Sequence, residues 1–333
     1  MKTFEFIRAA DLKGAIEGAA RAKTAQQGAD VRFVAGGTTL IDLMKLNVET
    51  PAHVIDINRL PLDKVETTPD GGLRIGATVR NSDLAHHPIV KQDYAVLSEA
   101  LLSGASTQLR NMATTAGNLL QRTRCMYFRE TAMPCNKRKP GSGCPAIAGS
   151  NRMLAILGAS EHCIATNPSD MCVAMAALEA TIHVQGPKGS RAIPIAGFHL
   201  LPGDTPQRET VLEPGDLITH VTLPAPISGS RQVYLKLRDR ASYEFALASA
   251  AVVIKIAGGN VINARIALGG VGTKPWRSPA AEAVLLSQPA TPANFRKAAE
   301  AALRDAKAQS ENGFKIELAK RCLAHALQMA AKG

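Results

Sequence analysis

The sequence predicts an α+β protein built of several units, and three observations carry that prediction. The first sixty residues alternate strand and helix patterns, the last hundred open on three β-type runs, and the chain closes on two Ala-rich helical stretches. At 333 residues with 46% hydrophobic side chains, the chain can bury large cores and divides into about two or three domains.

The elements follow in order. In a small α/β unit over residues 1–58, Phe4 to Ile7 alternates as a strand and Asp11 caps a helix from Leu12 to about Ala22. Val31 to Val34 is a strand, Leu40 to Leu46 a helix, and His53 to Ile57 another strand. A larger unit over residues 59–224 holds a strand at Leu73 to Ala77, a helix around Tyr94 to Leu102 and a cysteine-bearing loop over residues 125–163. A helix from about Met171 to Leu178 and strands at Thr181 to Val184 and Leu217 to Leu223 complete it. Two prolines and a Ser/Gly run make Pro224-Ala225-Pro226-Ile227-Ser228-Gly229-Ser230 a linker, since they cannot continue a sheet. Beyond it, residues 231–333 carry strands at Val233 to Leu237, Ala248 to Ile256 and Val261 to Leu268. Gly258-Gly259-Asn260 turns the hairpin, and helices run from about Thr291 to Lys307 and Lys315 to Ala331. The third unit is therefore an antiparallel sheet plus helices.

Composition excludes several classes. The longest apolar run, Phe245 to Ile254, is far short of a membrane span and is broken by Ser249 and ended by Lys255. The N-terminus alternates like a strand and lacks the apolar core and cleavage site of a signal peptide. Six cysteines are too few for a disulfide scaffold, and four of them cluster, which favours cofactor binding. The net charge of +11 invites a nucleic-acid reading, but the basic residues are scattered in short groups such as Lys137-Arg138-Lys139, without interleaved aromatics. A basic surface equally suits an acidic partner subunit or an anionic cofactor.

Three motifs carry chemistry. Val34-Ala35-Gly36-Gly37-Thr38-Thr39-Leu40 lies between a strand and a helix, either as an ordinary tight turn or as a loop whose backbone N–H groups can converge on an anion and whose small residues admit a pyrophosphate. It matches neither the dinucleotide-binding nor the P-loop glycine pattern. A second turn, Thr114-Thr115-Ala116-Gly117-Asn118, offers hydroxyls and an amide, and two such turns in neighbouring units suggest a dinucleotide held in a cleft. Asn167-Pro168-Ser169-Asp170 then precedes an apolar helix, as an N-cap or as groups beside a nucleotide. The third motif is Cys125, Cys135, Cys144 and Cys163 at spacing C-x9-C-x8-C-x18-C, in a stretch too rich in Pro, Gly and charge to be a core helix. Four thiolates hold either a metal ion or an iron–sulfur cluster. Zinc sites favour short C-x2-4-C knuckles, which are missing here, so the long spacings fit a larger cluster better. Cys172, the alternative fourth ligand, lies in the apolar Met171-Cys172-Val173-Ala174-Met175 and reads as an inert core thiol, as does Cys322; His162 beside Cys163 is placed to support a ligand.

Ala35-Gly36-Gly37-Thr38-Thr39-Leu40 and Ala113-Thr114-Thr115-Ala116-Gly117-Asn118, followed by Pro168-Ser169-Asp170 and Tyr234-Leu235-Lys236, resemble the FAD-binding subunit of xanthine dehydrogenase-type molybdenum hydroxylases. The resemblance covers essentially the whole chain, including a C-terminal domain similar to that of the carbon monoxide dehydrogenase flavoprotein. It implies a two-part FAD-binding domain, with Ala35, Gly36, Gly37, Thr38, Thr39 and Leu40 at the pyrophosphate and Thr114, Gly117 and Asn118 completing the site. Ser169 and Asp170 match FAD-contacting positions, and Lys236 a basic position near the isoalloxazine. The cysteine loop resembles that of periplasmic aldehyde oxidoreductases, which implies a [4Fe-4S] cluster on Cys125, Cys135, Cys144 and Cys163. The implied activity is electron transfer without substrate chemistry of its own. A large molybdenum-cofactor subunit oxidises an aldehyde to a carboxylic acid, a small [2Fe-2S] subunit relays the electrons, and this FAD passes them to an external acceptor. The implied heterotrimer reaches the periplasm through a signal on a partner subunit, the alternative being the cytoplasm. Two other classes stand beside this one: a zinc-stabilised nucleic-acid-binding protein, which predicts colourless protein, and a stand-alone flavin oxidase, which predicts turnover without partners.

Overall fold

Parallel pairing of three four-residue strands starts the fold. Strands β1 (Glu5–Arg8), β2 (Val31–Val34) and β3 (His53–Asp56) form a sheet in the order β1-β3-β2, with the central β3 parallel to both neighbours. Parallel neighbours need crossovers, and helices Leu12–Ala19 and Leu40–Lys45 provide them. Asp11 is the N-cap of the first helix, its carboxylate accepting the Gly14 N–H at 2.7 Å. The computed structural model describes residues 1–332.

A second sheet is wholly antiparallel. It contains β4 (Val65–Thr67), β5 (Leu73–Gly76), β6 (Thr181–Gly186), β7 (Gly189–Pro194) and β8 (Leu217–Leu223), in the order β4-β5-β8-β6-β7. Between β5 and β6 run short helices, among them Asn81–His86, Pro88–Asp93, Thr107–Met112 and Thr115–Leu119. None of these four exceeds six residues, too few turns to print a helical period on the sequence, which predicts only the two longer helices of this layer, around Tyr94 to Leu102 and Met171 to Leu178, found at Ala95–Ser103 and Asp170–Ala177. All eight residues of Asp170–Ala177 are buried, as suits a helix apolar on nearly every side.

The C-terminal sheet is also antiparallel, in the order β12-β11-β10-β9, from β9 (Arg231–Leu237), β10 (Ala248–Ala257), β11 (Asn260–Gly269) and β12 (Trp276–Arg277). Gly258 and Gly259 join β10 to β11 with φ of 56° and 79°, the doubly positive pair that a tight two-residue hairpin demands. One face packs on helices Pro279–Leu285, Pro292–Ala302 and Phe314–Lys332, through Ala250, Val252 and Ile254 of β10. The other face turns Ala251 and Val253 into the main core shared with the first two units. Burial on both faces explains the continuous apolar run of β10 without a membrane. Among the described residues no helix is long and apolar enough to cross one.

The cysteine loop has a satellite core of its own. Cys125, Phe128, Ala146, Leu154, Cys163 and Ile164 pack there with Leu43 and Val48 from the first unit. Arg129 fastens the loop to helix Leu40–Lys45 by a bidentate pair with Asp42 at 2.8 and 3.1 Å. Its far end joins the C-terminal unit, where the N–H groups of Ile156 and Leu157 donate to Val271 O at 2.9 and 3.0 Å.

Candidate functional site

The first glycine turn lines a deep cleft whose empty space, open mouth included, is about 1630 Å³. Ala35, Gly36, Gly37, Thr38, Thr39 and Leu40 all contribute to its wall, together with Thr114 and Gly117 from the second turn. Among the described residues, no protein acceptor takes the backbone N–H of Gly36, Gly37, Thr38, Thr39 or Leu40. Thr39 also leaves its hydroxyl unspent on a helix cap. Five consecutive free donors beside a hydroxyl suit a diphosphate, so the residues present fit a dinucleotide such as FAD.

Gly36 is required by the protein itself, beyond the ligand clearance that small residues predict. A Cβ on Gly36 would stand 1.9 Å from Met112 O, in the backbone that leads into the second turn. That carbonyl is held by Arg80, whose Nη1 donates to it at 2.5 Å while Nη2 donates to Asn58 Oδ1 at 3.1 Å. Asn58 Nδ2 in turn donates to Ala35 O at 3.0 Å, locking the two turns together. Gly37 has φ of 72°, a left-handed conformation that favours glycine.

The second turn differs from the first because its donors are consumed. Thr115 N–H donates to Val79 O, Ala116 N–H to Ala77 O and Asn118 N–H to Thr114 O, while Thr114 Oγ1 caps a short helix by accepting from Gly117 N–H at 3.3 Å. Asn118, Ser169, Asp170 and Lys236 do not line the cleft. Ser169 is the N-cap of helix Asp170–Ala177, accepting from Cys172 N–H at 3.0 Å and donating to Asn118 Oδ1 at 2.7 Å. Asp170 accepts from Lys236 Nζ at 2.8 Å and from the Tyr234 hydroxyl at 2.6 Å. Burial and the adjacent Asp170 carboxylate hold the Tyr234 phenol far above its ordinary range, so it stays the donor. Lys236 Nζ also donates to Ser103 O at 3.1 Å, and the group joins β9 to two helices of the second unit.

A row of buried and half-buried charges along the cleft has no counterpart in the local sequence patterns. Arg32 Nε donates to Glu49 Oε2 at 3.0 Å, Arg122 pairs with both Glu49 and Glu209, and Lys137 Nζ reaches Glu209 Oε1 at 2.9 Å. Burial alone would raise the Glu209 carboxyl, but Arg122 and Lys137 outweigh it and hold it below its usual range. Gln26 of the first unit holds the backbone of this segment, accepting from Glu209 N–H at 3.1 Å and donating to Leu212 O at 2.8 Å. Partners separated by 73 residues, as Glu49 and Arg122 are, leave no local signal in a sequence.

Cys125, Cys135, Cys144 and Cys163 all line one small second cavity, with Tyr127, Phe128 and His162 in its wall. Burial raises the Cys125, Cys144 and Cys163 thiols, Cys125 to about 11, while backbone N–H groups such as those of Phe128, Ile164 and Ala165 point at the sulfurs and pull the other way. Such N–H groups suit sulfur that carries charge in a cluster. Among the described residues no three His, Cys, Asp or Glu side chains converge closely enough to hold a single metal ion. Polar bonds order the loop beside its small apolar core. Arg138 donates to the carbonyls of Thr131, Tyr127, Glu130 and Met133, and Asn136 exchanges bonds with Gly143 at 2.7 and 2.9 Å. Cys172 and Cys322 are buried elsewhere, in the main and C-terminal cores. Lys137, Cys163 and Ala165 belong to the walls of both cavities.

His199 completes the cleft wall at 6% exposure, and its Nε2 lies 2.9 Å from Leu119 O, an acceptor that fixes this nitrogen as N–H. Burial pushes its pKa down to about 4, against about 6.5 for a free imidazole. The neutral ring is therefore stabilising above pH 6.5, and that contribution is lost as pH falls from 6.5 toward 4, where only the unfolded chain takes the proton; the loss reaches about 3 kcal/mol. Denaturant midpoints from pH 7 to pH 4.5 should fall more steeply for the wild-type protein than for His199→Gln; parallel curves would refute the assignment.

Comparisons with known proteins accord with this geometry. Residues 2–226 match the FAD binding domain in molybdopterin dehydrogenase, and residues 233–330 match the CO dehydrogenase flavoprotein C-terminal domain. The chain is 56% identical over 310 residues to the aldehyde oxidoreductase FAD-binding subunit PaoB of Escherichia coli K12, covering 93% of this chain and 94% of that one. It is 30% identical over 276 residues to the glyceraldehyde dehydrogenase medium chain of Sulfolobus acidocaldarius, covering 83% and 78%. Among solved structures, carbon monoxide dehydrogenase from Hydrogenophaga pseudoflava superposes with a TM-score of 0.77 at 27% identity, over 99% of this chain and 98% of that chain. With the glycine turns on one cleft and the antiparallel C-terminal sheet behind it, the chain belongs to the family of FAD-binding subunits of molybdopterin dehydrogenases.

Proposed function

We propose that this chain is the FAD-binding, electron-transferring subunit of a molybdenum-dependent aldehyde oxidoreductase and carries a [4Fe-4S] cluster on Cys125, Cys135, Cys144 and Cys163. Its partners are a small [2Fe-2S] subunit and a large molybdenum-cofactor subunit in a heterotrimer, exported to the periplasm by a signal on a partner. The likeness to PaoB supports the substrate class. The observation that carries the two-centre reading is the wall that the donor-lined cleft and the four-thiol cavity share.

When bound, the flavin supplies two-electron acceptance and release, singly or as a pair, to an external acceptor. The chain's residues hold and insulate. The N–H groups of Gly36 to Leu40 and the Thr38 and Thr39 hydroxyls bind the diphosphate, with Thr114 and Gly117 closing the opposite side. Asn118, Ser169, Asp170 and Lys236 support the site from behind, through the helix and strand they join. The four cysteines would bind as thiolates, with Cys125 and Cys163 buried and Cys135 and Cys144 half-buried in their loop.

An absorption spectrum of the anaerobically purified protein, with iron and acid-labile sulfide analysis, tests both centres. Flavin bands with about four irons and four sulfides per chain are expected. Cys135→Ser should lose the iron and keep the flavin. Zinc in place of iron would remove the cluster, and protein without flavin would remove the whole reading.

A further inference from the structure

We propose that Lys137 is a tuning residue common to both sites, a buried cation that favours the reduced state of the flavin and of the cluster alike. This rests on the two-centre reading above. Lys137 lies in the cysteine loop between Cys135 and Cys144 at 7% exposure, yet its contacts are on the cleft side: Nζ donates to Pro206 O at 3.0 Å and to Glu209 Oε1 at 2.9 Å. It lines both cavities.

Arg32, Glu49, Arg122, Glu209 and Lys137 form one continuous row of three cations against two anions, one net positive charge within the row, while Arg208, Glu213 and Asp216 elsewhere on the cleft lining add one cation and two anions. Buried charge is screened far less than surface charge. Reduction of either centre adds negative charge beside that wall, so a cation in the wall stabilises the reduced form of each. A lysine that only clasped the loop to Pro206 would act on stability and leave both potentials where they are.

Midpoint potentials of the flavin and the cluster in the native complex, followed by anaerobic optical and EPR titration, separate the two roles. Lys137→Met should shift the balance of oxidised over reduced cluster about tenfold toward oxidised, about 59 mV for a one-electron centre, and move the flavin the same way. Lys137→Arg, which keeps the charge, should restore both. Glu209→Gln, which removes an anion from the same wall, should shift both centres toward reduction. Unchanged potentials in Lys137→Met and Glu209→Gln at wild-type iron and flavin content would overturn the proposal. Should Lys137→Met fail to retain iron, Glu209→Gln decides: a shift toward reduction supports the role and an unmoved pair overturns it. A wild-type protein without iron refutes the cluster reading instead, and the flavin potential of Lys137→Met against Lys137→Arg still decides whether this cation acts on the cleft.

Discussion

Gly36→Ala should yield a protein purified without flavin and destabilised by about 3 kcal/mol, the upper end of what overpacking costs. The reason is a clash of the new side chain with backbone: the Cβ would sit 1.9 Å from Met112 O, and that carbonyl cannot retreat while Arg80 and Asn58 bind the two turns to each other. Either the turns separate, opening the donor row of Gly36 to Leu40, or the chain fails to close. Gly117→Ala is a comparison for stability only, since Gly117 also lines the cleft. Its Cβ would meet only the Thr114 hydroxyl at 2.9 Å, a group that can rotate away at the loss of one cap, about 1 kcal/mol. Urea unfolding compares the two proteins, and fluorescence titration of apoprotein with FAD checks Gly36→Ala. Full flavin occupancy in Gly36→Ala would show that the approach of the two turns does not shape the site.

Glu49→Ala should be the most damaging single change among the cleft charges, at about 3–5 kcal/mol. Glu49 is 3% exposed and lies between Arg32 and Arg122. Burial already pulls the Arg32 guanidinium below its ordinary range, Glu49 opposes that pull, and Arg122 adds to it. Without the carboxylate, two half-buried guanidinium groups face each other. The double change Arg32→Met with Glu49→Met should recover part of the loss, because it removes a cation together with the anion and leaves Arg122 its pair with Glu209. Urea unfolding of all three proteins measures this, and a loss under 1 kcal/mol for Glu49→Ala would mean that water reaches these charges.

Local physics made much of the fold readable. The strands and helices of the first unit, the Gly258-Gly259 hairpin, the three long C-terminal strands and the closing helices announce themselves through alternation, caps and turn residues within a few positions of each other. Short elements did not. Helices of five or six residues between Asn81 and Leu119 present too little periodicity, and the two-residue β12 exists only because Ala267 and Leu268 offer it an edge. At the site, both glycine turns were visible as motifs, but that the first keeps its N–H groups free while the second spends them on Ala77, Val79 and Thr114 is a fact of packing.

By itself the sequence determined the fold class, the longer elements, the two turns and the set of clustered cysteines, because each depends on residues near one another in the chain. Only the tertiary structure decided that Gly36 must be glycine for the sake of Met112 O, that Asp170 and Lys236 meet as a buried pair behind the cleft, and that Lys137 stands in a wall common to two cavities. Electrostatic partners such as Arg122 and Glu209 are chosen by distance in space, in a buried setting where an unpaired charge is intolerable, and sequence separation carries no record of that choice.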